Sequence, residues 1–508
     1  MGKGGSVSVK IGVVMSEDAP ANAGAAQWPD EGSAYYAVRR MQTKLHGWAG
    51  ADSSRRFDDL FNLIYDRSFL MHAWERVSTN TGARTAGVDR ATVAWIETQI
   101  GVVAFLEAIR EALKSGTYRP VEARRVAIPK GSSGKLRKLG IPTVTDRVVQ
   151  TVLKEVLEPI FEADFLPCSY GFRPKRRQHD AIAEIHSLAS RPKEYHWVLE
   201  ADIAACFDEI GHTPLLERLR RRVKDKRVVA LVRAFLKAGI LTELGDREES
   251  YSGTPQGGPL SPLLANIALS AVDEHFHRQW QESMRTTRQR SNRRKLGLAN
   301  WRLIRFADDF VVMVRGERCH AEALREEVAA VLAPLGLRLS LEKTRVTHVD
   351  EGFVFLGFEI RRQRKRGTSK YYVYTKPSKK AIQTIKDRVG VKTYRSTRNQ
   401  SLDKVITGLN QTLVGWANYF RYGVSKAVFN TVDHHAWGRL MRWIRAKYAG
   451  KHRLGMKELR RRFCDVGWRF AYNGVEFTGA TSVKVTRYRY RGSKIPTPWT
   501  IDSAAVTG

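Results

Sequence analysis

Three aspartates occupy positions from which carboxylates can act together. Asp202 closes an aromatic and β-branched run at 195–203, while Asp308 and Asp309 sit side by side between the apolar runs 303–306 and 310–314. Carboxylates delivered from neighbouring strand ends can share divalent ions. Two such ions roughly 3.5–4 Å apart are what nucleotidyl transfer needs, one to activate a 3′ oxygen and one to neutralise the departing pyrophosphate. Oxygen ligands suit Mg²⁺, with Mn²⁺ as a substitute, because Mg²⁺ keeps several waters and shares its shell with substrate phosphates. A pair of aspartates in a turn is by itself ordinary turn chemistry. Here the pair interrupts Phe306-Ala307-Asp308-Asp309-Phe310-Val311-Val312-Met313-Val314, so two charges stand between segments suited to burial.

The elements that must carry these residues are legible in the periodicity. The two apolar runs around Asp308 and Asp309 predict strands joined by a turn. Ser261 and Pro262 predict a helix start, as N-cap and first-turn proline, with Leu263, Leu264, Ile267, Ala268, Ala271 and Val272 on its apolar face. Leu324, Val328, Val331, Leu332 and Leu335 predict another helix, and the alternation Leu337, Leu339, Leu341 a further strand. The sum is an antiparallel sheet backed by helices. Upstream, Leu60, Leu63, Ile64, Phe69 and Leu70 predict short helices before a Gly-containing loop at 81–87, and the basic stretch 118–142, broken by Gly131-Ser132-Ser133-Gly134, predicts a cationic hairpin. Beyond about residue 376 the pattern is helical: Val405, Leu409, Leu413, Trp416 and Phe420 form one stripe, Val428, Val432, Ala436, Leu440 and Trp443 another. Residues 1–45, rich in Gly, Ala and Ser, read as a weakly ordered extension, and 483–491 as strand-like.

Charge identifies the class of partner. The 508 residues hold 86 Lys and Arg against 52 Asp and Glu, a formal net charge of +34, with a globular 43% of hydrophobic residues. Cations spread along the whole chain point to nucleic acid more than to a membrane surface, which one amphipathic segment would serve. No run approaches the roughly 18 apolar residues of a spanning helix. The four cysteines, Cys168, Cys206, Cys319 and Cys464, form no C-x-x-C pair, so neither zinc nor a disulfide framework is expected, and lone thiols suit a reducing cytoplasm.

The ordered blocks Asp202-Ile203-Ala204-Ala205-Cys206-Phe207-Asp208, Gly253-Thr254-Pro255-Gln256-Gly257-Gly258-Pro259-Leu260-Ser261-Pro262, Phe306-Ala307-Asp308-Asp309 and Phe355-Leu356-Gly357-Phe358 resemble those of reverse transcriptases. Arg124-Arg125-Val126-Ala127-Ile128-Pro129-Lys130, Leu139-Gly140-Ile141-Pro142-Thr143, Ser169-Tyr170-Gly171-Phe172-Arg173-Pro174 and Gly415-Trp416-Ala417-Asn418-Tyr419-Phe420 narrow the resemblance to group II intron-encoded reverse transcriptase/maturases. The implied fold is α+β with right-hand polymerase architecture. Its expected parts are an N-terminal motif and fingers over 46–150, a palm over 151–370 (fingers continuing to about 195), a helical thumb or maturase domain over 371–450, and a basic DNA-binding-like region over 451–508.

Carried over by position, the resemblance implies metal ligation by Asp202, Asp308, Asp309 and the Ile203 carbonyl. It implies a triphosphate clamp of Lys130 and Arg137, an aromatic gate at Phe207 against the sugar C2′, and Gln256 at the nascent pair. Primer, template and intron RNA would meet Arg124, Arg125, Arg173, Lys343, Leu356, Gly357, Arg288, Arg293, Trp416, Tyr419 and Arg421. The implied partners are intron RNA in a ribonucleoprotein, a DNA target and primer, and dNTPs. The implied place is a bacterial-type cytoplasm, near the nucleoid. Only Cys464 follows the thumb, so the zinc-bound endonuclease of fuller relatives is not expected in this stretch. A domesticated reverse transcriptase of defence or repair keeps the same core, and a splicing cofactor with a dead polymerase site is disfavoured by the intact aspartates.

Overall fold

The run Phe310–Val314 lies on one of the two inner strands of the four-stranded sheet on which the chain is built. The computed structural model describes residues 27–129, 136–241, 247–248, 253, 257–448, 455–465, 468–492 and 495–500. Strands are numbered in chain order: β1 (Ala123–Pro129), β2 (Leu136–Ile141), β3 (Trp197–Asp202), β4 (Ile240–Leu241), β5 (Arg247–Glu248), β6 (Asn300–Phe306), β7 (Asp309–Arg315), β8 (Arg345–His348), β9 (Phe353–Phe355), β10 (Phe358–Arg364), β11 (Tyr371–Pro377), β12 (Ala471–Tyr472) and β13 (Val475–Glu476).

The palm sheet has the order β6-β7-β3-β8, antiparallel throughout. Both of its faces are covered. Leu199, Ala201, Leu303, Phe310, Val312 and Val314 point into one core, and Val198, Ile304, Val311 and Met313 into a second. Burial on both sides is why β7 reads as an unbroken apolar run instead of an alternating one. The first core is closed by helices Arg67–Ser78, Val102–Lys114, Val144–Asp164, Lys226–Lys237, Ser261–Ser283 and Arg318–Leu332. The second joins helix Gln178–Ala189, the β9–β11 sheet and the thumb helices Lys379–Lys392, Leu402–Phe420 and Lys426–Tyr448. The expected cationic hairpin is present as β1 and β2, paired from Arg124↔Ile141 to Pro129↔Leu136 and extended by β4 and β5. Among the described residues no helix is long and apolar enough to cross a membrane.

Four sequence expectations need correction. The weakly ordered extension is not one from residue 31 onward: Glu31–Ala51 is a helix, capped by Asp30 accepting from the Ser33 N–H, which buries Ala34, Val38, Gln42, Leu45 and Ala49. Its inner stripe sets the larger apolar Val38 and Leu45 among Ala34, Ala49 and the polar Gln42, which donates to the Glu155 carbonyl at 2.9 Å, so the apolar periodicity is weak. Residues 1–26 lie outside the described residues. Leu337, Leu339 and Leu341 form no strand. Leu337 and Leu339 are buried, but Leu341 is 85% exposed, because the Ser340 N–H bonds the Asp202 carbonyl and a turn begins there.

Ser261 is the first helical residue, with Leu260 in the capping position, one residue from the expected boundary. The segment 483–491 is extended but pairs in no ladder. It runs from the thumb, where the Thr486 N–H meets the Arg421 carbonyl, across helix Gln178–Ala189, and the tail then reaches the N-terminal helix, where Trp499 Nε1 donates to Gln42 Oε1 at 3.1 Å. The described part of the basic C-terminal region is built into the second core through Leu459, Phe463, Phe470, Phe477 and Ile495.

Candidate active site

The strand register brings the acidic residues to one edge of the palm. Asp202, the last residue of β3, stands opposite Asp309, the first residue of β7. Asp309 also pairs with Phe306 across the two-residue turn Ala307–Asp308, which puts Asp308 at the tip between them. Asp202 and Asp308 are partly buried and Asp309 is exposed, so the edge is open to solvent. The Lys343 ammonium lies on Asp202 Oδ2 in a short contact. Its pKa is raised, first by the hydrogen bond to Asp202, against the opposing effect of burial, and also by the charges of Asp202, Asp309 and Asp308. One cation thus feels all three carboxylates. The Cys206 thiol nearby is pushed up to about 12, by burial first and by Asp308 next, so it stays protonated and takes no part as a thiolate. Among the described residues, no three acidic, His or Cys side chains form a ready-made metal cage.

A buried polar network under the turn holds Asp308 in place. Ala307 has φ +58, an uncommon backbone for a residue with a Cβ. Fully buried Arg305 donates to the Ala307 carbonyl and to Asn266 Oδ1, both at 2.9 Å, and pairs with Asp273 through Nε–Oδ1 at 2.8 Å and Nη2–Oδ2 at 2.5 Å. Asn266 in turn donates to the Gly171 carbonyl at 2.9 Å. Gly171 lies flat against the turn, and a Cβ there would stand 2.2 Å from the Ala307 nitrogen. The sequence motifs give no role to Arg305, Asp273 or Asn266, and hold Gly171 only as a member of the block 169–174. The available signals were a charge inside an apolar strand and two polar residues, Asn266 and Asp273, seven apart on the same face of an otherwise apolar helix.

Around this edge the other expected residues fall in different places. Phe207 sits half-buried in the short helix Cys206–Glu209, with its ring toward Phe172. Gly253 packs directly on the Phe207 and Asp208 carbonyls, where a Cβ would come within 2.6 Å of each. Gln256 and Lys130 lie outside the described residues, and Arg137 is described only through its backbone, paired with Ile128. Leu356 (φ +48) and Gly357 (φ +79) form the tight turn from β9 to β10, and the Tyr419 hydroxyl donates to the Leu356 carbonyl at 2.8 Å, tying the turn to the thumb. Trp416 packs its ring on Phe420 and Phe429. Arg421 is half-buried beside Tyr422, and Arg125 is half-buried on β1.

Several cations expected at nucleic acid are engaged inside the protein. Arg173 is the clearest correction. Its guanidinium is buried, pairs with Glu162 at 2.9 and 2.7 Å, and donates to the carbonyls of Leu166, Ser169 and Phe165, which leaves it nothing to offer RNA. A buried carboxylate needs such a partner, and the sequence does not reveal which arginine supplies it. Arg124 donates through Nε and Nη2 to the Ala86 carbonyl, and Arg147 to those of Gly82 and Thr85, so the two fasten the 81–87 loop to the fingers. Arg293 caps the Ala299 carbonyl and stacks on Trp301. Arg288 is exposed on helix Thr287–Lys295, which buries no residue at all.

Comparison with known proteins adds two family matches. Residues 128–360 match the family described as reverse transcriptase (RNA-dependent DNA polymerase), and residues 382–463 the group II intron, maturase-specific domain. Protein YkfC of Escherichia coli is 38% identical over 365 residues, covering 68% of this chain and 93% of the relative. The group II intron-encoded protein LtrA of Lactococcus lactis is 31% identical over 481 residues, covering 79% of this chain and 77% of the relative. Nuclear intron maturase 1 of Arabidopsis thaliana is 26% identical over 309 residues, with coverage of 46% and 43%.

Proposed function

Because the chain belongs to the family of group II intron-encoded proteins that join a reverse transcriptase to a maturase-specific domain, we propose that it binds its own intron RNA, assists the splicing of that RNA, and copies it into DNA by target-primed reverse transcription. The reverse transcriptase domain makes it an RNA-directed DNA polymerase. The maturase-specific domain implies a bound intron RNA. A DNA target, a primer strand and dNTPs are the remaining partners of the reading.

The observation that carries the polymerase site is the pairing Asp202↔Asp309 with Asp308 in the adjoining turn. In this reading the three carboxylates, with the Ile203 carbonyl, hold Mg²⁺, for which Mn²⁺ can substitute. The donor set fits, since Mg²⁺ completes its shell from water and substrate phosphates and needs no closed protein cage. The Lys343 ammonium on Asp202 is a stand-in for the positive charge this edge attracts. When bound, the ions supply the charge neutralisation that the attacking oxygen and departing pyrophosphate require.

The chain's own residues bind and select. Lys130 and Arg137 compensate charge on the triphosphate. The Phe207 ring leaves no room for a 2′-hydroxyl, so selection works by exclusion. Gln256 meets the nascent pair, and the Leu356–Gly357 turn steadies the primer end. The test is primer extension on an RNA template with Mg²⁺, together with splicing of the flanking precursor RNA at low Mg²⁺. Asp308→Ala should abolish cDNA synthesis and leave RNA binding and splicing assistance in place. Near-normal synthesis by that variant would sink the catalytic assignment.

A further inference from the structure

Phe172 combines two features that oppose each other in a folded protein. Its backbone lies at φ +55, in the left-handed region, where a bulky residue is a genuine outlier, and its ring is 50% exposed, so burial does not offset the strain. Glycine would serve the backbone better. The neighbours impose the conformation from both sides. Tyr170 is buried, with its hydroxyl on Glu184, Gly171 lies flat on the Ala307 turn, and Arg173 is locked by Glu162 and three carbonyls. Strain over-determined by its surroundings and located beside a functional site is a reason to ask what the side chain does there.

What the ring meets is Phe207. The centroids are 6.5 Å apart with the planes at 77°, an edge-to-face pair within the usual range for interacting aromatics. Phe207 needs an external support, because its helix spans only the four residues Cys206–Glu209 and starts from Ala205 at φ +41, and so short a helix has little rigidity of its own. A gate that excludes a hydroxyl works only while its ring cannot swing aside.

We propose that Phe172 is a specificity-determining positioning residue: its ring, carried on a backbone held from both sides, keeps the Phe207 ring in the pose that rejects ribonucleotides. This rests on the reading in which Phe207 faces the sugar of the incoming nucleotide. The test measures kcat/KM for a dNTP and for the matching rNTP on an RNA template, using the full chain as wild type, Phe172→Gly, Phe172→Tyr, Phe207→Val and the Phe172→Gly/Phe207→Val double variant.

Phe172→Gly should raise the rNTP-to-dNTP efficiency ratio by about tenfold, the low end of what one steric contact in a pocket discriminates. Its melting temperature should equal or exceed that of the wild type, since glycine accepts a positive φ without strain. Phe172→Tyr keeps the ring and should keep the wild-type ratio. In the Phe207→Val background, Phe172→Gly should add nothing, because its effect passes through the Phe207 ring. An unchanged ratio in a folded Phe172→Gly, or fully additive effects in the double variant, overturns the proposal and leaves the gate standing. An unchanged ratio in Phe207→Val overturns the gate, and this inference with it.

Discussion

The acidic palm edge and the basic helix Thr287–Lys295 are both dense in charge, yet they are organised in opposite ways. Asp202, Asp308 and Asp309 stand on strand ends and a turn whose ladder partners fix them, over the buried Arg305–Asp273–Asn266 network. The basic helix buries no residue, and its cations divide by neighbourhood. Arg290 and Arg293 donate to the carbonyls of Met284, Arg285 and Ala299, while Arg288 and Lys295 point outward. A paired backbone therefore locates a charge, whereas the density of charge does not say which members are available to a partner. Arg173 makes the same point from the interior, as a cation beside the site that serves the fold.

The largest expected effect comes from the acidic edge itself. Asp202→Asn should lower cDNA synthesis by roughly 10³-fold, the scale of the several kcal/mol of charge stabilisation that metal ions lend a transition state. Single-turnover primer extension checks it. A residual rate near wild type would erase the contrast between the two regions.

Next comes the support under the turn. Arg305→Met leaves Asp273 buried without its partner and should cost about 3–5 kcal/mol of unfolding free energy. Urea denaturation reads this directly. If Asp273→Leu added to Arg305→Met restores stability but not polymerisation, the network's role in placing Asp308 is separated from its role in the fold.

Arg173→Met tests the interior cation. It should cost a similar about 3 kcal/mol while leaving RNA affinity per folded molecule unchanged. Weaker RNA binding at wild-type stability would return Arg173 to the RNA surface.

The basic helix should respond differently. Arg288→Ala with Lys295→Ala should weaken RNA binding uniformly across sequences and reduce the slope of log affinity against log salt by about 1–2, as expected for lost phosphate contacts. Filter binding over a salt series measures it. Arg290→Ala should leave that slope alone.

The smallest effect concerns Arg491, which crosses from the tail to Asp180 through Nε–Oδ1 at 2.8 Å and Nη2–Oδ2 at 2.5 Å. Burial alone would raise the Asp180 carboxyl, but hydrogen bonds from Arg491, the Arg177 N–H and Tyr488 outweigh it and hold the carboxyl below its ordinary range. A depressed folded pKa contributes stability above the unfolded value of about 3.9, lost as pH falls through the folded one. The Thr486 amide, which bonds the Arg421 carbonyl, should thus stay protected from exchange at neutral pH and open only below about pH 4. Protection that fades near pH 6 would point to another group.

The sequence by itself determined the strands that bear the aspartates, the turn between them, the thumb helices and the family, because each of these is set by neighbours within a few residues: alternation, apolar runs, caps and short ordered blocks. Only the tertiary structure decided which cations remain free, that the N-terminal helix packs a stripe in which Ala34, Gln42 and Ala49 interrupt Val38 and Leu45, and that the alternation at Leu337, Leu339 and Leu341 ends in an exposed turn. It also decided that Gly171 must lack a side chain and that the C-terminal tail returns to the N-terminal helix. Those outcomes depend on partners far along the chain, such as Ala86 for Arg124, Ala307 for Gly171 and Gln42 for Trp499. Long-range contact, unlike local periodicity, leaves no regular signature in the order of residues.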